Sequence, residues 1–298
     1  MNPAQAVQYG LVGVTHGSVY AIVAIGFNII YSTTGIINFA QGEFVVVGAM
    51  LAIALSAALP LPLAIALAVL GTMVLGGLVQ IVFLRPARNA SLLRLIVITI
   101  GLSILLREAM DHIWGKYPLQ LPPFTGRDTD TIPLLGAYTT PQALWVLGTC
   151  ALVVAGLTAF FRLTTVGRAM RACADDRMAA RLCGIPERWM VTLSFVLGAG
   201  IGALAGCVIS PVTQTRYDMG ASLAIKGFAV AVLGGLGSSP AAVAAGILLG
   251  LLEQFLPPML DLDNAYKEAI SVVVLMLVLV IRPIGLFTRR QAGALRAG

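Results

Sequence analysis

The sequence predicts an all-α polytopic integral membrane protein with about eight transmembrane helices plus one short or re-entrant helix. Composition is the first sign: 58% of residues are hydrophobic and 11% charged, against about 25% charged in soluble chains. The second is run length. The apolar stretches are continuous over roughly the twenty residues that a helix needs to cross a ~30 Å hydrocarbon core, and they lack the alternation of a membrane β-barrel. The third is an excess of small residues, with 32 Gly, which lets helices approach closely in lipid.

Hydropathy places the spans at 9–31, 36–58, 62–84, 92–114, 142–161, 189–210, 239–257 and 266–283. A ninth apolar piece, 221–235, is short and Gly-rich. Pro60, Pro62, Pro141, Pro211, Pro240, Pro257 and Pro258 fall near the expected ends, where proline does least harm. The first span has no basic segment before it, so no cleavable signal peptide is expected. The whole chain, 1–298, reads as one transmembrane domain, with a cytoplasmic loop at 164–187 and a small external segment at 115–141.

Charge orients these spans. Arg85, Arg88 and Arg94 form one cluster; Arg162, Arg168, Arg171, Arg177, Arg181 and Arg188 a second; Arg282, Arg289, Arg290 and Arg296 a third. Asp128, Asp130, Asp261 and Asp263 occupy the intervening loops. By the positive-inside rule the arginine clusters are cytoplasmic and the N-terminus external. The net charge of +6 is thereby explained as loop charge, without nucleic acid. Alternation holds only if 221–235 returns the chain inward.

Between Met1 and Leu84 the only charged residue is Glu43. An ionisable group in so long an apolar tract marks a functional site by default. Its expected place is one to two turns into the second span from the cytoplasmic side. Asn28, Asn38 and Gln41 are its polar companions. Lys226 and Glu253 stand near span ends. Arg107, Glu108, Asp111 and His112 read as a polar cluster in which Arg107 pairs with Glu108 or Asp111.

Enzymatic readings fare poorly. Two histidines and four dispersed cysteines supply no zinc site or disulfide framework, and no G-x-x-x-x-G-K-[ST] loop is present. No ion or proton relay is visible, so the energy source is expected elsewhere. Gly198, Gly202 and Gly206 recur at i+4 and suit helix packing within the subunit, or else a dimer interface; Gly13/Gly17 and Gly246/Gly250 share the spacing.

The basic loop holds one short amphipathic helix. Thr164 or Thr165 can cap its start, and Gly184 before Pro186 ends it. Met170, Ala174, Met178 and Leu182 share a face, and Arg171 and Asp175 are spaced to pair. It can lie on lipid headgroups or dock through Ala169, Ala172, Cys173 and Ala174 into a partner; composition leaves both open.

Taken together, these motifs resemble the permeases of ATP-binding-cassette (ABC) transporters for branched-chain amino acids, in the shorter of two subclasses. The resemblance rests on Tyr20–Tyr31 (YAIVAIGFNIIY), Thr34–Phe44 (TGIINFAQGEF), Gly167–Ala172 (GRAMRA), Lys226–Ser238 (KGFAVAVLGGLGS) and Arg282–Phe287 (RPIGLF). It implies that the loop is a coupling helix docking on an ATPase, with Gly167, Arg168, Ala169, Arg171, Ala174, Leu182 and Gly184 as coupling residues, and it makes Asn28, Asn38, Gln41 and Glu43 the candidates for a substrate path or gate. It also implies a second permease subunit, by resemblance a paralogue, two cytoplasmic ATPase subunits that hydrolyse the ATP, and a periplasmic or extracellular substrate-binding protein. The location implied is the bacterial plasma (inner) membrane, with an external N-terminus and a cytoplasmic C-terminus. No cofactor is expected on this chain. The family often has His where Gln41 stands, and Gln cannot titrate. Related permeases carry urea, short amides or aromatic acids, and an ATP-independent channel for small amides is the competing reading.

Overall fold

The computed structural model describes residues 2–281 except 88–89, 128–129, 135, 262 and 264–265. Arg88, Asp128 and the C-terminal cluster from Arg282 onward, with the Arg282–Phe287 motif, lie outside the described residues. The described chain is helical apart from one small hairpin. In order it forms α1 (Pro3–Thr34), α2 (Gln41–Ser56), α3 (Leu61–Val79), a π-helical turn (Gln80–Leu84), α4 (Leu92–Trp114), the strands β1 (Ile132–Leu134) and β2 (Ala137–Thr139), and α5 (Pro141–Leu163). Then follow α6 (Thr165–Asp175), α7 (Arg177–Leu182), α8 (Glu187–Ile209), α9 (Met219–Gly234), α10 (Ser239–Met259) and α11 (Lys267–Ile281).

Among the described residues, α1, α3 with its π turn, α5, α8 and α10 are long and apolar enough to cross a membrane, whereas α2 and α9 are short apolar helices. At 1.5 Å per residue, the 16 residues of α2 or α9 reach only about 24 Å, short of a ~30 Å core. The sequence marked 221–235 as short but read 36–58 as a full span. The second helix starts five residues later than expected. Gly35 takes a left-handed conformation (φ 67°) that closes α1, and residues 35–40 run without helix.

The helices form two halves of opposite direction. In each, a long helix (α1, α8) is followed by a break, a short helix (α2, α9), an antiparallel helix (α3, α10) and a peripheral one (α4, α11). Each short helix packs along the long helix of the other half: α2 on α8, α9 on α1. Likewise α1 packs on α10 and α8 on α3. The seams between them are backbone against backbone. Gly17 meets Gly246 and Gly13 meets Gly250 across α1 and α10; Gly76 meets Ala199 across α3 and α8. Gly198, Gly202 and Gly206 all face α1 or α2, so this stripe serves packing inside the subunit. Without side chains, the axes close to distances at which dispersion and Cα–H···O contacts hold helices together in lipid.

One end of the bundle gathers Arg85, α6, α7 and the α9–α10 turn. The opposite end carries the 115–140 segment, whose Leu119 pairs with Thr215 as a β-bridge. There Gln120 donates to Pro211 O and Leu121 N–H to Ser210 Oγ.

Candidate functional site

The centre of the bundle is made where the two short helices begin. Gly35 N–H closes α1 onto Tyr31 O at 2.7 Å, a left-handed helix stop that a side chain would strain. Asn38 Oδ1 then accepts from Ala40 N–H at 3.2 Å, which holds the turn in place of helical bonds. The side chain of Gln41 follows, wedged between α1 and α8. It lies on the bare backbone of Gly26, and its Nε2 donates to Gly198 O at 2.8 Å.

Glu43 sits in the first turn of α2 with its side chain wholly buried. Ser103 of α4 donates to its Oε1 at 2.8 Å, and Arg107 Nε stands 3.9 Å from the same oxygen. Oε2 has no hydrogen-bond partner and presses on Gly220 at the start of α9. The backbone of Gly42 meets Gly220 O and Ala224 so closely that no Cβ fits. The carboxylate therefore lies at the N-terminal turns of two helices, where unpaired N–H groups and the helix dipoles favour negative charge. Ser103 is midway along α4, and Gly198 midway along α8. Glu43 is thus at mid-depth, not near the arginine-rich end as expected, because the break at 35–40 carries the chain back into the bundle before α2 starts. Arg107, too, differs from expectation: its carboxylate is Glu43, while Asp111 lies 3.7 Å from Lys116.

Asn38, Gln41 and Glu43 come together here; Asn28 does not join them. Its amide bridges α1 to the α9–α10 turn, donating to Ser238 O at 3.3 Å and accepting from Gly237 N–H at 3.2 Å. Asn28 lines a cavity of about 960 Å³ whose other wall includes Arg171 and Ala174 of α6. Two residue groups separated in the sequence reading, gate and coupling, thus share this cavity.

The coupling segment is two helices rather than one. Thr164 caps α6 by accepting from Gly167 N–H at 2.9 Å. Asp176 interrupts it and caps α7, accepting from Met178 and Ala179 N–H at 2.8 and 3.0 Å. An aspartate that offers its side chain to the backbone in this way starts a new helix instead of continuing the old one. The interruption also changes the faces. Gly167, Met170 and Cys173 face inward with Ala180, whereas Ala174 and Met178 are exposed and Leu182 is 83% exposed. Ala169 and Ala172 are partly buried against the core, and Arg168 and Arg171 are exposed, Arg171 at the cavity shared with Asn28. The Arg171–Asp175 ion pair expected from spacing does not form. Gly184 (φ 80°) ends α7.

A second buried ionic group had no assigned partner in the sequence. Lys226 of α9 bonds Glu253 of α10 at 2.6 Å and donates to Tyr20 Oη of α1 at 3.2 Å, with side chains only 12% and 4% exposed for the charged pair. Their opposite signs on neighbouring spans were the available signal.

The family profile described as "Branched-chain amino acid transport system / permease component" matches residues 11–279. The chain is 35% identical over 294 residues to the high-affinity branched-chain amino acid transport system permease protein LivH of Escherichia coli K12, covering 94% of each. It is 34% identical over 295 residues to the corresponding protein BraD of Pseudomonas aeruginosa, again covering 94% of each. A chain of the PsaBC–Fab complex from Streptococcus pneumoniae matches at TM-score 0.48 and 14% identity, covering 91% of both, too distant to bear on the fold.

Proposed function

This chain belongs to the branched-chain amino acid transport permease family, and from that premise we propose that it carries branched-chain or closely related amino acids as the membrane subunit of an ABC importer. The names of LivH and BraD support that cargo. The energy comes from two ATPase subunits on the cytoplasmic side, since no phosphate-binding loop occurs in the sequence. A second permease subunit and an external binding protein complete the assembly in the bacterial plasma membrane. The arginine-rich end is cytoplasmic by the positive-inside rule, which puts the N-terminus outside.

The observation that carries the mechanism is the succession of elements from α6 to Glu43, in which α6 packs on α1, the helix that carries Asn28. Arg171 and Ala174 share a cavity with Asn28, and Asn28 holds the turn at one end of α9. The other end of α9 rests on Gly42 and Glu43. Movement of α6 and α7 by the ATPase pushes on the turn, shifts α9 along its axis, and opens or closes the contact at Glu43. A nucleotide drives this only by favouring one of the two positions. Leu182 and Met178, with Arg168 and Arg171, are the docking side chains; Gly167 lets α6 close on the backbone of Phe160, and Gly184 sets the turn after α7. Glu43 acts as the gate's anchor, not as the ligand of the cargo's ammonium: Ser103 and Arg107 already engage Oε1, and Oε2 is packed on backbone.

Reconstitution with the cognate ATPases and binding protein in proteoliposomes tests this. ATP-dependent uptake of leucine, isoleucine or valine is expected. Leu182→Asp is expected to leave the chain inserted and to cut uptake at least about tenfold, the loss of more than 1.4 kcal/mol of coupling. Uptake without ATP would overturn the importer reading, and wild-type coupling in Leu182→Asp would overturn the docking face.

A further inference from the structure

We propose that the groove between the π-helical turn, the start of α4 and the α7–α8 junction binds an anionic phospholipid. The groove encloses about 830 Å³, within the range of sites that hold small molecules. Its rim at the arginine-rich end carries Arg85, Arg177, Arg181 and Arg188. The only carboxylate among the lining residues is Glu187, and it is engaged by Arg181. Three guanidiniums are left facing the groove with no ion-pair partner among the described residues.

The wall below the rim is apolar. Ile81 lines it from the π turn, and Leu84, Leu95 and Phe195 form its packed floor. Gln80 and Thr192 also line the groove, where Thr192 donates to Gln80 Oε1 at 2.7 Å and ties the π turn to α8. Val82 and Phe83 continue the apolar surface outward at 56% and 44% exposure. Trp189, exposed at the rim, is the side chain expected at headgroup level.

A ligand that contacts both parts needs an anionic head and an acyl chain. Basic pockets between spans bind such headgroups, with each Arg or Lys adding to the attraction. An acidic segment of a soluble partner satisfies the rim but not a wall on helices embedded in lipid. The inference rests on the membrane-spanning fold and is independent of the cargo and of the coupling scheme.

Native mass spectrometry of the full-length chain in detergent tests it with three probes: phosphatidylglycerol, phosphatidylcholine with the same acyl chains, and glycerol phosphate. A retained adduct is expected with phosphatidylglycerol alone. Arg85→Gln with Arg188→Gln is expected to weaken that adduct about tenfold or more while eluting and melting like the wild type. Should that variant not fold, the wild type still decides: a phosphatidylglycerol with a photoreactive acyl chain is expected to cross-link to residues 81–84 or Leu95. Equal retention of phosphatidylcholine overturns the proposal, as does equal retention of glycerol phosphate, which marks a free-phosphate site. Cross-links confined to other segments also overturn it. So does an undiminished phosphatidylglycerol adduct in a folded double variant that loses ATPase-subunit binding, which makes the groove a protein-docking face.

Discussion

Glu43 shows how a single carboxylate is kept in the middle of a hydrophobic bundle. Ser103 supplies a hydrogen bond at 2.8 Å, Arg107 a positive charge at 3.9 Å, and two helix N-termini supply oriented dipoles. Replacing Glu43 by an apolar residue leaves the buried Ser103 hydroxyl without its acceptor and Arg107 without its carboxylate. Glu43→Leu is therefore expected to lower the thermal stability of the purified protein markedly and to abolish uptake. Glu43→Gln keeps an acceptor for Ser103 and the shape that packs on Gly220, so it should retain the fold and most uptake. Loss of both in Glu43→Gln, measured by melting in detergent and by transport, would show that the charge itself is required. That Glu43 is set apart from every other charge in the first third of the chain was legible in the sequence. Its partners were not, because Ser103 and Arg107 lie sixty residues away on a helix whose own acids looked like nearer mates.

At the scale of elements, the glycines divide into those that let helices touch and those that do not. A Cβ on Gly246 meets the backbone of Gly17 and the side chain of Ala21, whereas one on Gly101 or Gly156 meets nothing within 4 Å. Gly246→Leu should push α10 from α1 and destabilise the fold by about 1–3 kcal/mol or more, as overpacking of a tight seam does. Gly156→Ala should be neutral or stabilising by up to about 1 kcal/mol, since Ala is the better helix former. Detergent melting curves of the two variants check the contrast; equal effects would mean that the seam is not tight in solution. The spacing of Gly198, Gly202 and Gly206 made a packed face legible, but not which helices it meets. The break at 35–40 was hidden because Ile36, Ile37 and Phe39 look like the start of an apolar span, and hydropathy is blind to a left-handed Gly35. The split between α6 and α7 was missed for a related reason: i+4 spacing runs on through Asp176, whose side chain prefers to cap.

For the whole molecule, the two halves cross at their breaks, and the 16 residues of α9 run from the arginine-rich end to the contact with Gly42 and Glu43. Sidedness is open to a direct check. Of the four free cysteines, Cys183 is exposed and Cys150, Cys173 and Cys207 are buried. Burial also pushes the Cys173 thiol above its ordinary value, which slows its reaction further. A membrane-impermeant maleimide is expected to label Cys183 in inside-out vesicles and not in intact cells or spheroplasts, with Cys183→Ser abolishing the signal. Labelling from the outside would invert the topology.

The amino-acid sequence determined the class of molecule, the order of its apolar helices, the clustering of its arginines and the family motifs. These follow from local composition and charge, which fix where a segment can sit relative to lipid. The tertiary structure alone decided the depth of Glu43, its pairing with Ser103 and Arg107, the separation of Asn28 from Gln41, and the Lys226–Glu253 bond. Those depend on which backbones approach closely enough to exclude a side chain, a property of two halves folded against each other that no single stretch of the chain contains.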